Sequence, residues 1–188
     1  IYYTPQFVVR YIVRQTLGRL LDDPAMTPER ARRLRVLDPA CGSGSFLIEA
    51  FDVLDRWLAQ HDPHTDARAR RLAILQHNLY GVDLDDQAVE VTRLNLMLRA
   101  AQERGLLPKL AHIAHGNSLV DDPAADPHAF DWAAHFPDAM QAGGFDVVIG
   151  NPPYVRAESL SAAFKAYAKA HYATSSSTPV DLYVTFIE

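Results

Sequence analysis

Apolar residues in "TPQFVVRYIVRQTLGRLL" recur at helical spacing behind a Thr-Pro start. That predicts an opening helix, with Thr4 as its cap and Pro5 in its first turn. "DDPAMTPER" reads as a linker, and "RLRVLDPA" as a short buried strand ending at Pro39. "GSGSFLIEAFDVLDRWLAQ" runs from a glycine turn into an amphipathic helix; "HDPHTD" breaks it, and "ARARRLAILQHN" forms the next. "LYGVDLD" is a second strand, followed by the helix "DQAVEVTRLNLMLRAAQERG" with Gly105 as its stop. "LAHIAHG" is a third, weaker strand. Residues 117 to 144, rich in Asp, Pro and Ala, read as irregular and longer than an ordinary connection, which marks them as a candidate functional loop. "GFDVVIGN" is the fourth strand, 157 to 171 is helical, "SSST" is a loop, and "DLYVTFIE" opens a further helix.

Strands alternating with helices predict an α/β fold, a parallel sheet covered on both faces. In such sheets ligands bind beyond the carboxyl ends of the strands, and each short motif discussed below lies at such an end. With 188 residues, 48% of them hydrophobic, the chain is one domain's worth with a sizeable core. It divides into an N-terminal helix and linker (1–33), a sheet-building half (34–116), the irregular stretch (117–144) and a final segment (145–188). The longest apolar runs are too short to span a bilayer, and the N-terminus lacks a basic leader with a small-residue cleavage site. The single cysteine, Cys41, rules out an internal disulfide and fits a reducing cytoplasm. A formal net charge of −5 argues against a domain that grips nucleic acid by itself. The chain opens on Ile1 and stops within "DLYVTFIE", so it reads as a piece of a longer protein.

"LDPACGSGSF" places Asp38 at the end of the first strand and Gly42 and Gly44 in the turn, where the absence of a β-carbon lets backbone approach a ligand. A dinucleotide site would want a third glycine at position 47, which is Leu47, and an acid about 20 positions on. The acidic strand end, Asp83, lies much further away, and no Gly-x-x-x-x-Gly-Lys occurs. A carboxylate at Asp83 suits the two hydroxyls of a ribose, while helix capping falls to Asp85 or Asp86. Asn117 in "HGNSL" suits an adenine edge or an ordinary turn. A nucleoside without pyrophosphate points to S-adenosylmethionine. In "IGNPPYV" the two prolines forbid continued strand or helix. The bland reading there is a rigid turn with Tyr154 as a core aromatic. The eight histidines show no metal-ligand spacing, His112 and His115 read as strand residues, and Cys41 as a small residue that fits beside the loop.

Together these motifs resemble the gamma-class DNA adenine-N6 methyltransferases, as found in large restriction-modification and phage-defence enzymes. "YYTP" looks like the family's N-terminal cofactor motif, "DPACGSGSF" its glycine loop, "GVDLD" its ribose motif and "GNSL" its adenine-edge motif; "GNPPYV" matches the catalytic motif. The resemblance implies a Rossmann-like class I S-adenosylmethionine-dependent methyltransferase fold, with sheet order 3-2-1-4 and the N-terminal helix near the cofactor side. It implies S-adenosyl-L-methionine contacts from Tyr2, Tyr3, Thr4, Pro5, Asp38, Pro39, Ala40, Gly42, Gly44, Phe46, Asp83, Leu84, Asn117, Ser118 and Asn151. Catalysis would fall to Asn151, Pro152, Pro153 and Tyr154, with no metal, in the cytoplasm of a bacterium or archaeon. The partner it implies is double-stranded DNA, held mainly by a recognition domain that this chain lacks. Members continue into further strands, so the outer edge of the fourth strand is expected to be free, an association hazard. The same four-residue motif also occurs in protein-glutamine and some RNA guanine methyltransferases, and a non-catalytic cofactor-binding module is a further alternative.

Overall fold

Four short apolar segments pair into one parallel sheet: β1 (Val36–Asp38), β2 (Leu79–Asp83), β3 (Ile113–His115) and β4 (Val147–Val148), in the order β3-β2-β1-β4. This is the expected α/β architecture and strand order. The computed structural model describes residues 4–100, 109–155, 157–175 and 182–188. Tyr2, Tyr3, the helix stop assigned to Gly105 and all but the first residue of "SSST" lie outside them.

Strand residues alternate between the two faces, so each strand feeds two cores. Val36, Leu79, Ile113 and Val147 join the larger one. Its helices are α1 (Gln6–Val13), continued by a π-turn (Arg14–Gly18) into α2 (Arg19–Leu21), then α3 (Pro28–Ala31), α4 (Ser45–His61), α5 (Ala67–His77) and α6 (Asp86–Ala100). Val9, Val13 and Leu17 from the first of these meet Leu47, Ala50, Leu54 and Leu58 of α4 in that core. Leu37, Tyr80, Val82 and Ala114 face the other way, onto Phe130, Phe136 and Ala139. Continuous apolar strands are what a parallel sheet buried on both faces requires.

That second face corrects the reading of 117–144 as irregular. It carries two short helices, α7 (Trp132–His135) and α8 (Pro137–Gln141), and an aromatic cluster in which Phe136 and Phe145 meet Tyr80 edge-on. Asp131 caps α7 by accepting from Ala134 N, and Pro137 opens α8. Helices of one turn contain too few residues to show a 3.6 period, so the pattern missed them.

Three other boundaries shift for local reasons. Thr4 does not cap α1, whose first turn has no side-chain cap. The "linker" holds α3, where Thr27 Oγ1 accepts from Arg30 N at 3.3 Å. Residues 157 to 171 divide into a 3-10 turn (Ala157–Ser159) and α9 (Ala162–His171), started by Ser161 as its cap. The last described element is α10 (Leu182–Thr185). Asn78, fully buried, donates to the carbonyls of Ala31 and Leu34 and so ties α3 to the start of β2. β4 closes one end of the sheet, and among the described residues nothing pairs with its outer edge, where Val148 is 55% exposed. Among the described residues no helix is long and apolar enough to cross a membrane.

Candidate functional site

The carboxyl ends of the four strands open on one cavity of about 1160 Å³. Pro39, Ala40 and Gly42 reach it after β1, Asp83 and Leu84 from β2, and Asn117 and Ser118 after β3. Asn151, Pro152, Pro153 and Tyr154 reach it after β4, and Leu160, Phe164, Leu182 and Phe186 form an apolar wall beyond them.

The glycine turn is held by its neighbours. Gly42 N donates to Asp83 Oδ2 at 2.7 Å, while Asp85 N donates to Asp83 Oδ1 at 3.0 Å. Each carboxylate oxygen keeps a second lone pair for a ligand hydroxyl. Asp85 also accepts from Gln87 N at the head of α6, as the capping assignment anticipated. Behind the turn, Thr92 Oγ1 donates to the Gly42 carbonyl at 2.7 Å and Asn95 Nδ2 to the Ser43 carbonyl at 3.0 Å. Sequence reasoning missed both; their only signal is a spacing of three along α6, which puts them on one face.

The two glycines have different reasons to be glycine. Both have positive φ, 53° at Gly42 and 83° at Gly44. A Cβ on Gly42 would meet none of the described residues within 4 Å, so this backbone is open to a ligand. A Cβ on Gly44 would lie 2.9 Å from Thr92 Cγ2, so Gly44 lets α6 close on the turn. Phe46, the second residue of α4, is drawn into the larger core. Thr4, Pro5, Asp38, Gly44 and Phe46 do not line the cavity.

Asp38 sits behind the loop with 1% exposure. Oδ1 accepts from Ala40 N at 3.1 Å, and Oδ2 has no partner among the described residues. Burial chiefly, with the nearby charge of Asp83 adding, pushes its carboxyl up to about 7 against the ordinary 3.8; the Ala40 N–H opposes the shift. Between those values the folded chain keeps a proton that the unfolded chain has released. The stability Asp38 confers is therefore full below the unfolded value and lost as pH rises to about 7. The span is at most about 4 kcal/mol. Asp38→Asn, which keeps the acceptor for Ala40 N, should flatten this part of the profile. Urea midpoints between pH 5 and pH 8 check it, and identical slopes in the two proteins would refute the assignment. Burial likewise raises the Cys41 thiol, which makes it inert as a nucleophile and leaves it a small packing residue.

The Asn-Pro-Pro-Tyr turn is not a core feature, because Tyr154 is 72% exposed. Asn151 Nδ2 donates to Thr4 Oγ1 at 3.1 Å, across 147 positions of chain. One of the two amide N–H groups is thereby used, and the amide oxygen is the group that can accept. Gly150, just before it, passes so close to Asp38 that a Cβ there would lie 2.6 Å from Oδ1. Among the described residues no cluster of His, Cys, Asp or Glu has an arrangement that could hold a metal ion.

A parallel sheet in this order, with a glycine turn, an acid and an Asn-Pro-Pro-Tyr turn on one cavity, defines the class of Rossmann-like methyltransferase folds. Solved structures share it. The Type ISP restriction-modification enzyme LlaGI, a nuclease-deletion mutant with a DNA substrate mimic, superposes with a TM-score of 0.67 at 19% identity, covering 100% of this chain and 16% of that one. The DrdV–DNA complex gives 0.60 at 24% identity, covering 100% and 19%.

The chain belongs to the Eco57I restriction-modification methylase family, whose pattern matches residues 77–188. The pattern of the RMKL-like methyltransferase domain matches residues 26–107. Adenine-specific methyltransferase PglX of Streptomyces coelicolor is 30% identical over 190 residues, covering 86% of this chain and 15% of that protein. The type II restriction enzyme and methyltransferase RM.Eco57I of Escherichia coli is 29% identical over 184 residues, covering 84% and 18%. The chain thus spans less than a fifth of the length of either relative.

Proposed function

We propose that this chain is the catalytic core of a DNA adenine-N6 methyltransferase in a restriction-modification or phage-defence system. It would move a methyl group from S-adenosyl-L-methionine to the N6 amine of an adenine flipped out of double-stranded DNA. One observation carries the reading: Asn151 and Pro152 line the same cavity as Asp83 and Asn117. A nucleoside-binding half and an amine-binding half therefore share one space.

The residues fit the cofactor. Gly42 gives it open backbone, Asp83 retains acceptor capacity for a ribose, and Leu84 and Asn117 offer a face and an edge for adenine. The cofactor supplies an electrophilic methyl on a sulfonium; the rest of the chemistry is positioning by the protein. An exocyclic amine is a poor nucleophile because its lone pair is delocalised into the ring. Two fixed acceptors, Asn151 Oδ1 and the Pro152 carbonyl, bind its two hydrogens and favour a pyramidal nitrogen with a localised pair. The diproline keeps that pair of acceptors in register, and the bond to Thr4 tethers the Asn151 side chain. Unstacking the target costs a few kcal/mol. Stacking on the exposed Tyr154 ring returns roughly 1–3 kcal/mol.

A glutamine amide would also present a planar nitrogen to these acceptors. The relatives bear adenine-specific and restriction-modification names, which supports adenine. With a net charge of −5, the chain would depend on other regions of its protein for most of its grip on DNA. Such systems act in the bacterial or archaeal cytoplasm. Calorimetric titration of the intact protein with S-adenosylmethionine tests the cofactor half. Asp83→Ala should weaken binding roughly 10- to 100-fold, as expected for hydrogen bonds to a charged group. Unchanged affinity in the folded variant would refute the assignment.

A further inference from the structure

The stretch after β3 folds back on itself at its first residue. Asn117 N donates to the His128 carbonyl at 2.7 Å, and Asn117 forms an isolated parallel bridge with Ala129. Asp126 sits inside this bend. One of its oxygens accepts from Asn117 Nδ2 at 2.7 Å and the other from His128 N at 2.8 Å. On the far side of the same amide, Leu119 N donates to Asn117 Oδ1 at 3.1 Å. An ionised carboxylate only accepts and a backbone N–H only donates. These two neighbours admit one orientation of the Asn117 amide and exclude the flipped one. Among the described residues one N–H and one lone pair of that amide remain, and Asn117, Asp126 and His128 all line the cavity.

We propose that Asp126 is a positioning residue for base specificity: it locks the Asn117 amide so that the cavity selects an adenine edge over a hypoxanthine edge. Adenine presents a donor amine beside an acceptor ring nitrogen; hypoxanthine presents the same two positions with donor and acceptor exchanged. A free asparagine can turn over to match either, so its presence alone does not discriminate. Held on both sides, it matches one. The bend also sets the neighbouring wall: His115 Nε2 lies 3.0 Å from the Leu84 carbonyl, and its ring meets His128 edge-on at 5.2 Å. The edge offered to the base is thus fixed within residues 117–130, which gives that stretch a purpose beyond covering the sheet. This inference rests on the reading of the cavity as the S-adenosylmethionine site.

The test compares S-adenosylhomocysteine with S-inosylhomocysteine as ligands of the intact protein, by calorimetry. Asp126→Asn is the informative variant. Its carbonyl still accepts from His128 N, so the bend persists, but an amine now faces Asn117 Nδ2. The wild-type protein should favour the adenosyl ligand roughly 10- to 100-fold, and Asp126→Asn should lower that ratio to about threefold or less. A ratio unchanged in the variant would overturn the proposal. So would an equal weakening of both ligands, which is what a merely structural Asp126 would give. Wild-type protein that binds the adenosyl ligand without discrimination overturns this inference alone. Protein that binds neither ligand removes the cofactor reading and this inference with it.

Discussion

Methyl transfer by an Asn151→Ala enzyme should fall about 100- to 1,000-fold, the loss expected for one preorganised polar partner of a transition state. Cofactor affinity should stay near the wild-type value. The reason is a division of labour in space. Asn151 lines the cavity after β4 and is tied by its amide to Thr4, while the contacts proposed for a nucleoside come from Gly42, Asp83 and Asn117 at the other strand ends. Alanine removes the acceptor and leaves those contacts in place. Labelled methyl transfer to duplex DNA, read beside calorimetric titration of the cofactor, separates the two effects. Tyr154→Phe is the internal control, since it keeps the exposed ring and should change the rate little. Near-normal rates in Asn151→Ala, or label appearing on protein glutamine, would refute the mechanism.

Gly150→Ala should damage both the fold and the site. Its added Cβ would lie 2.6 Å from Asp38 Oδ1 and 3.3 Å from Asp38 Cγ. Asp38 cannot retreat cheaply, because it is buried and its Oδ1 is the acceptor for Ala40 N. Either that bond breaks, disturbing the glycine turn, or the end of β4 moves, carrying Asn151 with it. Overpacking of this kind costs about 1–3 kcal/mol. A displacement of about 1 Å at a catalytic group lowers rates on the order of 100-fold. Urea unfolding and methyl-transfer rates measure the two. The cause can be isolated with the double variant Asp38→Ala plus Gly150→Ala: removing the carboxylate should recover part of the loss, so the two changes should not add. Strict additivity would show that the contact with Asp38 is not the source.

Much of the architecture was legible because burial writes itself into local pattern. "RVLD", "LYGVD" and "DVVIG" are short apolar runs between turn signals, and a strand buried on both faces has to look like that. Some of the residues that line the cavity at the strand ends could be named from the chain because turns of this kind require particular residues: glycine at Gly42, a carboxylate at Asp83, proline twice after Asn151. Reading failed where an element was too short to show a period, as in α7 and α8, or where a cap was inferred from type alone, as at Thr4.

Sequence by itself therefore determined the strands, their order of appearance, the glycine turn and the diproline, since each is a matter of neighbouring residues. Tertiary structure alone decided that Thr4 would hold Asn151, that Asp38 would sit protonatable behind the loop against Gly150, and that Gly44 would make room for Thr92. It also decided that Asp126 would fix the amide of Asn117. These are pairings between segments far apart along the chain or inside a folded-back loop. A residue's own neighbours carry no trace of the partner that chain folding will bring to it, whereas hydrophobic period and turn chemistry are local by nature.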